Sequence, residues 1–291
     1  MPSAHRPDVQ AFFDPATSTA TFLVSDPATK AAAIVDPVLD FDPKSARIST
    51  RSADAVLQAA KAQGLHVTYV LETHAHADHL SAGDYIRRET GAGIVIGAHI
   101  TEVQKVFIPR FEADDVSADG SVFDYLVDDG EALALGDLNI EVMHTPGHTP
   151  ACVTYVIGDA AFVGDTLFMP DYGTARTDFP GGDATALYRS IRRILSLPPQ
   201  TRVFVGHDYL PPEGRTENRW ETTIAEEAAG NVHAHQGVTE DAFVQVRRAR
   251  DATLAPPALI LPSLQVNIRA GALPPPTPGG HVFLRLPVSV G

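Results

Sequence analysis

Thr73-His74-Ala75-His76-Ala77-Asp78-His79 places three histidines and one carboxylate between positions 74 and 79. Neither a packed core nor a solvated face asks for that composition. Imidazole nitrogen and carboxylate oxygen are together ligands for zinc, iron or manganese, so the run marks a metal-binding chain. The residues before it, Val67 to Leu71, read as a buried strand that runs directly into His74. Before that strand, residues 52–64 read as a helix, with Ser52 as N-cap, Val56, Leu57 and Ala60 on one apolar face, and Gly64 as its end.

Three more segments end a predicted strand with a metal-competent side chain. Leu138 to Met143 delivers the chain to His144-Thr145-Pro146-Gly147-His148, Ala160 to Val163 ends at Gly164-Asp165, and Val203 to Val205 ends at Gly206-His207-Asp208. Strand ends gather at one rim of a sheet, so residues far apart in sequence can meet there. Gly147, Gly164 and Gly206 suit tight turns at such a rim, and a histidine after Thr-Pro-Gly sits on a stiff loop. A helix over 183–197 followed by strand 203–205 and His207 echoes helix 52–64, strand 67–71 and His74. That is weak two-fold pseudo-symmetry.

The rest of the chain reads as follows. Short apolar runs between 11 and 36 are strands punctuated by Asp26-Pro27 and Asp36-Pro37. A helix spans about Leu80 to Thr90, a strand covers Ile94 to Ile96, and residues 101–129 read as an acidic insert with a short helix. Residues 132–143 and 154–163 form two hairpins. Later helices fall at about 217–229 and 239–251. From Leu254 onward proline-rich sequence, including Pro274-Pro275-Pro276, predicts an extended tail on the same body. The organisation is thus a catalytic domain over 1–253 and a tail over 254–291.

The chain has 291 residues, 44% of them hydrophobic, enough for a sizeable soluble core. It lacks the run of about 18 apolar residues that a membrane span needs, and Met1 to Gln10 carry no apolar signal core. Cys152 is the only cysteine, so no internal disulfide forms. These features predict a cytoplasmic protein without membrane partners. The net charge of −14 argues against a nucleic-acid partner, which asks for basic surface.

The motifs His74-x-His76-x-Asp78-His79, Thr145-Pro146-Gly147-His148, Gly164-Asp165 and Gly206-His207 resemble those of the metallo-β-lactamase superfamily over roughly residues 12–210. The resemblance implies an α+β fold, an αββα sandwich of two facing mixed sheets with helices outside and the metal at one edge. Within that superfamily the chain is most similar to the persulfide dioxygenases. Asp36-Pro37-Val38-Leu39, Glu72 to His79, Thr145 to Pro150, Arg176-Thr177-Asp178-Phe179 and Gly206 to Tyr209 carry the likeness, which extends weakly to Leu261 to Gly271.

That likeness implies one Fe(2+) per chain, held by His74, His148 and Asp165 as a two-histidine, one-carboxylate set. His76, Asp78, His79 and His207 then orient the ligands and tune the iron. The implied substrates are glutathione persulfide and O2, with Arg176 for a glutathione carboxylate and Tyr209 as a hydrogen-bond donor; a homodimer is the expected assembly. A structural ion pair between Arg176 and Asp178, and core packing of Tyr209, are the competing roles. The alternative function is a dinuclear Zn(2+) thioester or ester hydrolase of the glyoxalase II kind, in which His76, Asp78, His79 and His207 become ligands of a second metal. His144 falls outside the site. Cys152 reads as a small buried apolar residue, His233 and His235 as surface-loop residues, and Trp220 as helix packing.

Overall fold

A computed structural model describes residues 6–211 and 213–288. The chain opens with β1 (Asp8–Asp14), β2 (Thr19–Ser25) and β3 (Ala31–Val35), a meander of antiparallel strands. The β1–β2 turn forms because the Asp14 carboxylate accepts from both the backbone and the hydroxyl of Thr17. β4 (Val38–Asp42) and β5 (Arg47–Ser49) make a small hairpin, followed by α1 (Arg51–Ala62) and β6 (His66–Leu71), which lies parallel to β3. β7 (Leu80–Ser81) pairs with β4, and α2 (Gly83–Thr90), β8 (Gly93–Gly97), α3 (Ile100–Phe111) and β9 (Tyr125–Val127) follow. The first large sheet runs β1-β2-β3-β6-β8-β9.

The second half begins with β10 (Ala132–Leu135), β11 (Leu138–His144), β12 (Val153–Ile157) and β13 (Ala160–Phe162). Then come α4 (Ala184–Ile194), β14 (Arg202–Phe204), β15 (Glu221–Thr223), α5 (Ile224–Gly230), α6 (Glu240–Asp251) and α7 (Ile260–Asn267). Its sheet runs β10-β11-β12-β13-β14-β15. β14 lies parallel to β13 as β6 lies parallel to β3, so the echoed helix and strand units enter their two sheets in the same sense.

Side-chain alternation builds the layers. On β2, Phe22 and Val24 face the second sheet while Leu23 faces the helices; on β3, Ala33 and Val35 face in while Ala32 and Ile34 face out. Phe22, Phe162 and Phe204 meet between the sheets with ring centroids 5.0–5.5 Å apart. Cutting one of these rings to alanine costs about 3–5 kcal/mol. α1, α2, α3 and α7 cover the outer face of the first sheet, and α4 and α6 that of the second. Both faces of the central strands β2, β3, β12 and β13 are covered, which is why these read as continuous apolar runs, while β11 alternates. The architecture is the expected αββα sandwich.

Several expectations are corrected. Residues 101–129 are not irregular: α3 has 12 residues and buries Val103, Phe107 and Phe111, and β9 follows. Pro109 lies in the last turn of that helix, so the bond it removes is at the end of the ladder and not in its middle. α2 starts at Gly83, because Leu80 and Ser81 pair with β4. Ser52 is no cap; its N–H and hydroxyl both donate to Asp40. Only the second half of 217–229 is helical, since Glu221–Thr223 extends the sheet and Thr223 then caps α5 with Glu226. Trp220 precedes that strand and stacks on Phe13 at 5.6 Å. The tail is not extended throughout: α7 occupies 260–267, with Pro262 in the first turn, where a missing N–H removes no helix bond. Among the described residues no helix is long and apolar enough to cross a membrane.

Candidate metal centre

All four predicted strand ends open on one rim. The loop after β6 carries Thr73 to His79, the loop after β11 carries His148, and Asp165 and His207 follow β13 and β14. Two glycines make the convergence possible. Gly147 has φ 138°, and a Cβ there would lie 2.3 Å from the backbone of Leu187 on α4. Gly164 has φ 50°, and a Cβ would meet Thr73 Oγ1 at 2.4 Å. Any other residue at either place pushes a ligand loop off its support.

Two adjoining groups of donors result. His74, His148 and Asp165 form one; His76, Asp78, His79 and His207 form the other, and within each the donor atoms lie within 4.8 Å of one another. In the first, Asp165 Oδ2 is 4.0 Å from His74 Nε2 and 3.7 Å from His148 Nε2. In the second, His207 Nε2 is 3.1 Å from Asp78 Oδ2. Asp165 Oδ1 stands between the groups, 3.3 Å from His207 Nε2.

The hydrogen bonds behind these residues set which nitrogen faces the centre. His148 Nδ1–H donates to the Arg176 carbonyl at 2.8 Å, and His79 Nδ1–H donates to the Leu80 carbonyl at 3.2 Å. His207 Nδ1–H donates toward the Ser18 carbonyl at 3.3 Å. The Thr73 hydroxyl donates to Asp36 Oδ2 at 2.7 Å, so it accepts from His74 Nδ1–H at 3.0 Å. Each of these four rings therefore presents a bare Nε2. His76 is reversed: its Nε2–H donates to Asp36 Oδ1 at 3.0 Å, with Glu72 Oε2 at 3.2 Å, and Nδ1 faces the centre.

Among the described residues the buried atoms His74 Nε2, His76 Nδ1, Asp78 Oδ2, His79 Nε2, Asp165 Oδ1 and His207 Nε2 have no hydrogen-bond partner. Leaving one such atom unpaired costs about 1–3 kcal/mol, so six converging on one place fit a bound cation. The electrostatics agree. Burial, then neighbouring histidines, holds His74 well below its usual range, and burial pushes His79 to about 3; both are neutral and ligand-ready. Burial raises the Asp165 carboxyl, a penalty that a divalent ion reverses. The site is a metal-binding His/Asp cluster.

Three supporting residues carry no role that the sequence reveals. Asp36 accepts from the Thr73 N–H, the Thr73 hydroxyl and His76. Glu72 accepts from the Ser81 hydroxyl and stands beside His76. Burial opposes charge on His76, and the Asp36 and Glu72 carboxylates overcome it and raise its pKa well above the usual imidazole range, so a cation at Nδ1 would have to displace a proton there. Asn267, at the end of α7, donates to the carbonyls of His76 at 2.7 Å and His79 at 2.8 Å, and accepts from the Ser81 N–H at 2.8 Å. Asp36 and Glu72 stand in the stretches that flag the family, yet only the folded convergence shows what they hold. Asn267 stands in the weaker stretch Leu261 to Gly271, and nothing in that stretch says that its side chain reaches the histidine loop.

A pocket of 390 Å³ opens on the first group, with Asp78, His148 and Asp165 at its inner side and Phe168, Tyr172 and Tyr209 in its wall. Tyr209 stacks on His207 with centroids 5.4 Å apart. It is 40% exposed to the pocket, yet the atoms packed around its hydroxyl, then the Asp78 and Asp165 carboxylates, raise its pKa well above the usual phenol value. The hydroxyl stays protonated and can donate.

Arg176 lines the pocket but its guanidinium faces the protein. Nε and Nη2 grip Asp178 at 2.5 and 2.6 Å, and Nη1 donates to the Ala255 carbonyl at 2.7 Å. The expected carboxylate-binding role is corrected to the competing ion pair, which also ties down the tail. Cys152 is buried, its thiol pushed up to about 12 by burial, and inert. His144 Nε2–H donates to the Pro150 carbonyl and its ring stacks on His99, outside both donor groups. His233 is half-buried, accepting the Thr174 N–H at 3.2 Å, while His235 accepts the Gly237 N–H; they form no metal pair.

Residues 14–207 match the metallo-beta-lactamase superfamily. A probable metallo-hydrolase of Burkholderia pseudomallei is 55% identical over 291 residues, covering 96% of this chain and 98% of that protein. The mitochondrial persulfide dioxygenase ETHE1 of Bos taurus is 31% identical over 268 residues, covering 91% and 89%. The crystal structure of ETHE1 from Myxococcus xanthus superposes with a TM-score of 0.73 at 32% identity, covering 91% of this chain and all of that one.

Proposed function

The chain belongs to the metallo-β-lactamase superfamily, and within it we propose that it is a glutathione-dependent persulfide dioxygenase using one Fe(II) per chain. The carrying observation is the separate group His74, His148 and Asp165, whose bare Nε2 atoms and carboxylate give the two-histidine, one-carboxylate set at the end of a pocket. The reaction takes glutathione persulfide, O2 and water to glutathione, sulfite and two protons. Iron held by His74, His148 and Asp165 would supply the oxygen chemistry. Likeness to the Bos taurus and Myxococcus xanthus proteins supports this choice.

The protein's own residues position and protect. The Arg176 carbonyl and Thr73 hydroxyl fix the planes of His148 and His74. Phe168 packs edge to face on Tyr172 and Tyr209, which lie tilted on each other, with centroids 5.4–5.8 Å apart, and the three keep the wall beside the sulfur dry. The protonated Tyr209 hydroxyl donates to the sulfur or oxygen of the bound substrate.

A second reading rests on a specific observation. His76, Asp78, His79 and His207 form another complete donor group, and Asp165 Oδ1 reaches toward it. Two zinc ions there would suit a thioester hydrolase, and the Burkholderia pseudomallei relative is named a metallo-hydrolase. Elemental analysis and an oxygen electrode separate the two. One iron per chain with persulfide-dependent oxygen uptake supports the dioxygenase; two zincs, brisk thioester hydrolysis and no oxygen uptake overturn it.

A further inference from the structure

We propose that Arg215, on the loop between β14 and β15, is a positioning residue that aims the Tyr209 hydroxyl at the ligand in the pocket. It does so by tying the residue before Tyr172 to the residue before Tyr209. Both tyrosines stand in the pocket wall, with ring centroids 5.4 Å apart, yet they come from different parts of the chain. Tyr172 lies on the turn between β13 and α4, and Tyr209 follows β14. Among the described residues no hydrogen bond runs directly between residues 168–173 and residues 207–210. Arg215 supplies the link. Its Nε donates to Asp171 Oδ2 at 2.7 Å and its Nη2 to Asp171 Oδ1 at 3.1 Å, while Nη1 and Nη2 donate to the two carboxylate oxygens of Asp208. The other Nη1 N–H donates to the Glu217 carbonyl at 3.0 Å.

Every N–H of this guanidinium is used, so it serves as a bridge and has no donor left for a ligand. A lysine, with one point charge and no planar fork, could not hold both carboxylates in this way. The loop is shaped to deliver the group. Leu210, with φ 56°, turns the chain back directly after Tyr209. Asp208 then accepts from the Arg219 N–H at 2.8 Å and from Asn218 Nδ2 at 3.2 Å, which closes the loop from which Arg215 reaches inward. Stability alone would ask for one carboxylate, and the buried Asp208 is that one. Asp171 is 43% exposed and has no other hydrogen-bond partner among the described residues, so its pairing serves to place the turn that carries Tyr172. The base of that turn is fastened separately: the Pro170 carbonyl accepts from the Val232 N–H at 2.9 Å and the Gly173 carbonyl from Asn231 Nδ2 at 3.1 Å. Breaking the bridge therefore frees the tip of the turn, lets the two rings part and leaves the base in place. The proposal rests on the functional reading only in taking the ligand to be a glutathione adduct, which the dioxygenase and hydrolase readings share.

The test is calorimetric titration of the metal-loaded protein with glutathione, run as a double-mutant cycle of D171N and Y209F. R215Q would strand the buried Asp208 charge and threaten the fold, whereas D171N leaves Arg215 paired with Asp208 and cuts only the arm to the turn. Y209F weakens binding about fivefold, the worth of one hydrogen bond. D171N weakens it by a similar factor, and D171N/Y209F binds no more weakly than Y209F alone, because the hydroxyl that the bridge aims is already gone. D171E, which keeps a carboxylate for Arg215, stays within about twofold of wild type. A merely structural ion pair behaves differently: D171N then binds like wild type, or its loss multiplies in full with that of Y209F, and either result overturns the proposal. So does a wild type that binds no glutathione, or a Y209F protein that binds it equally well. Oxygen uptake is measured separately on the iron-loaded protein. Its absence, with the coupling between Asp171 and Tyr209 intact, removes the dioxygenase reading and leaves this one standing.

Discussion

Asp36 has φ 47°, a left-handed backbone that a non-glycine residue adopts at a cost. Its carboxylate explains the strain. It holds Thr73, and through the Thr73 hydroxyl the ring of His74, while also holding His76. Asp36→Asn keeps the shape but puts an NH2 where an acceptor is needed. Metal affinity, measured by chelator competition, should fall about 10–100-fold with the circular dichroism unchanged. Asp165→Ala should abolish metal retention in the same assay. Away from the centre, Glu227 is buried in α5, one oxygen bonded to Asn231 and the other without a partner, and burial raises its pKa to about 8. The folded state then holds a proton that the unfolded chain releases from near pH 4.5. Stability present below that pH is lost progressively as pH rises toward 8. Glu227→Gln keeps the Asn231 bond, so a pH series of melting temperatures should flatten between pH 5 and 8. At this scale the sequence told much about ligands and little about support. His74, His148 and Asp165 announce themselves by residue type and motif. Arg176 is legible as a pocket residue, but the direction of its guanidinium depends on Asp178 and on Ala255, 79 residues away.

α7 shows why an element can matter more than its sequence suggests. Its residues Leu264 and Val266 are buried in the core of the first sheet, and its last residue, Asn267, satisfies two carbonyls of the histidine loop. Asn267→Ala leaves two buried carbonyls and the Ser81 N–H without partners. It should lower metal affinity about tenfold or more, read by competition titration, while Leu264→Ala should lower the melting temperature chiefly through a cavity costing about 2–5 kcal/mol. Equal loss of metal affinity in the two variants at matched stability would argue against the clamp. Proline-rich surroundings masked α7, because composition does not say whether a proline falls in a first turn or an interior. Strands with both faces buried were legible as apolar runs. Glu221–Thr223 was not, since it is a strand only by pairing with β14.

Across the whole molecule, ligands from both sheets meet at one rim: His74 follows β6 of the first sheet, while His148, Asp165 and His207 follow strands of the second. A metal bound there bridges the two halves, and it binds only the folded state. At 100 times its dissociation constant it adds about 2.7 kcal/mol. Chelation should therefore lower the melting temperature by about 5–10 °C in a calorimetric scan, and an Asp165→Ala protein should not respond to the chelator. The bridge also has a meaning in time. A ribosome makes the chain from its N-terminus, so His76 is added 191 residues before the Asn267 that fastens its carbonyl. Throughout that interval the nascent loop carries donors without the clamp that aims them. A chain that stopped short of α7 would carry every ligand in its sequence and lack the side chain that fastens the loop holding them.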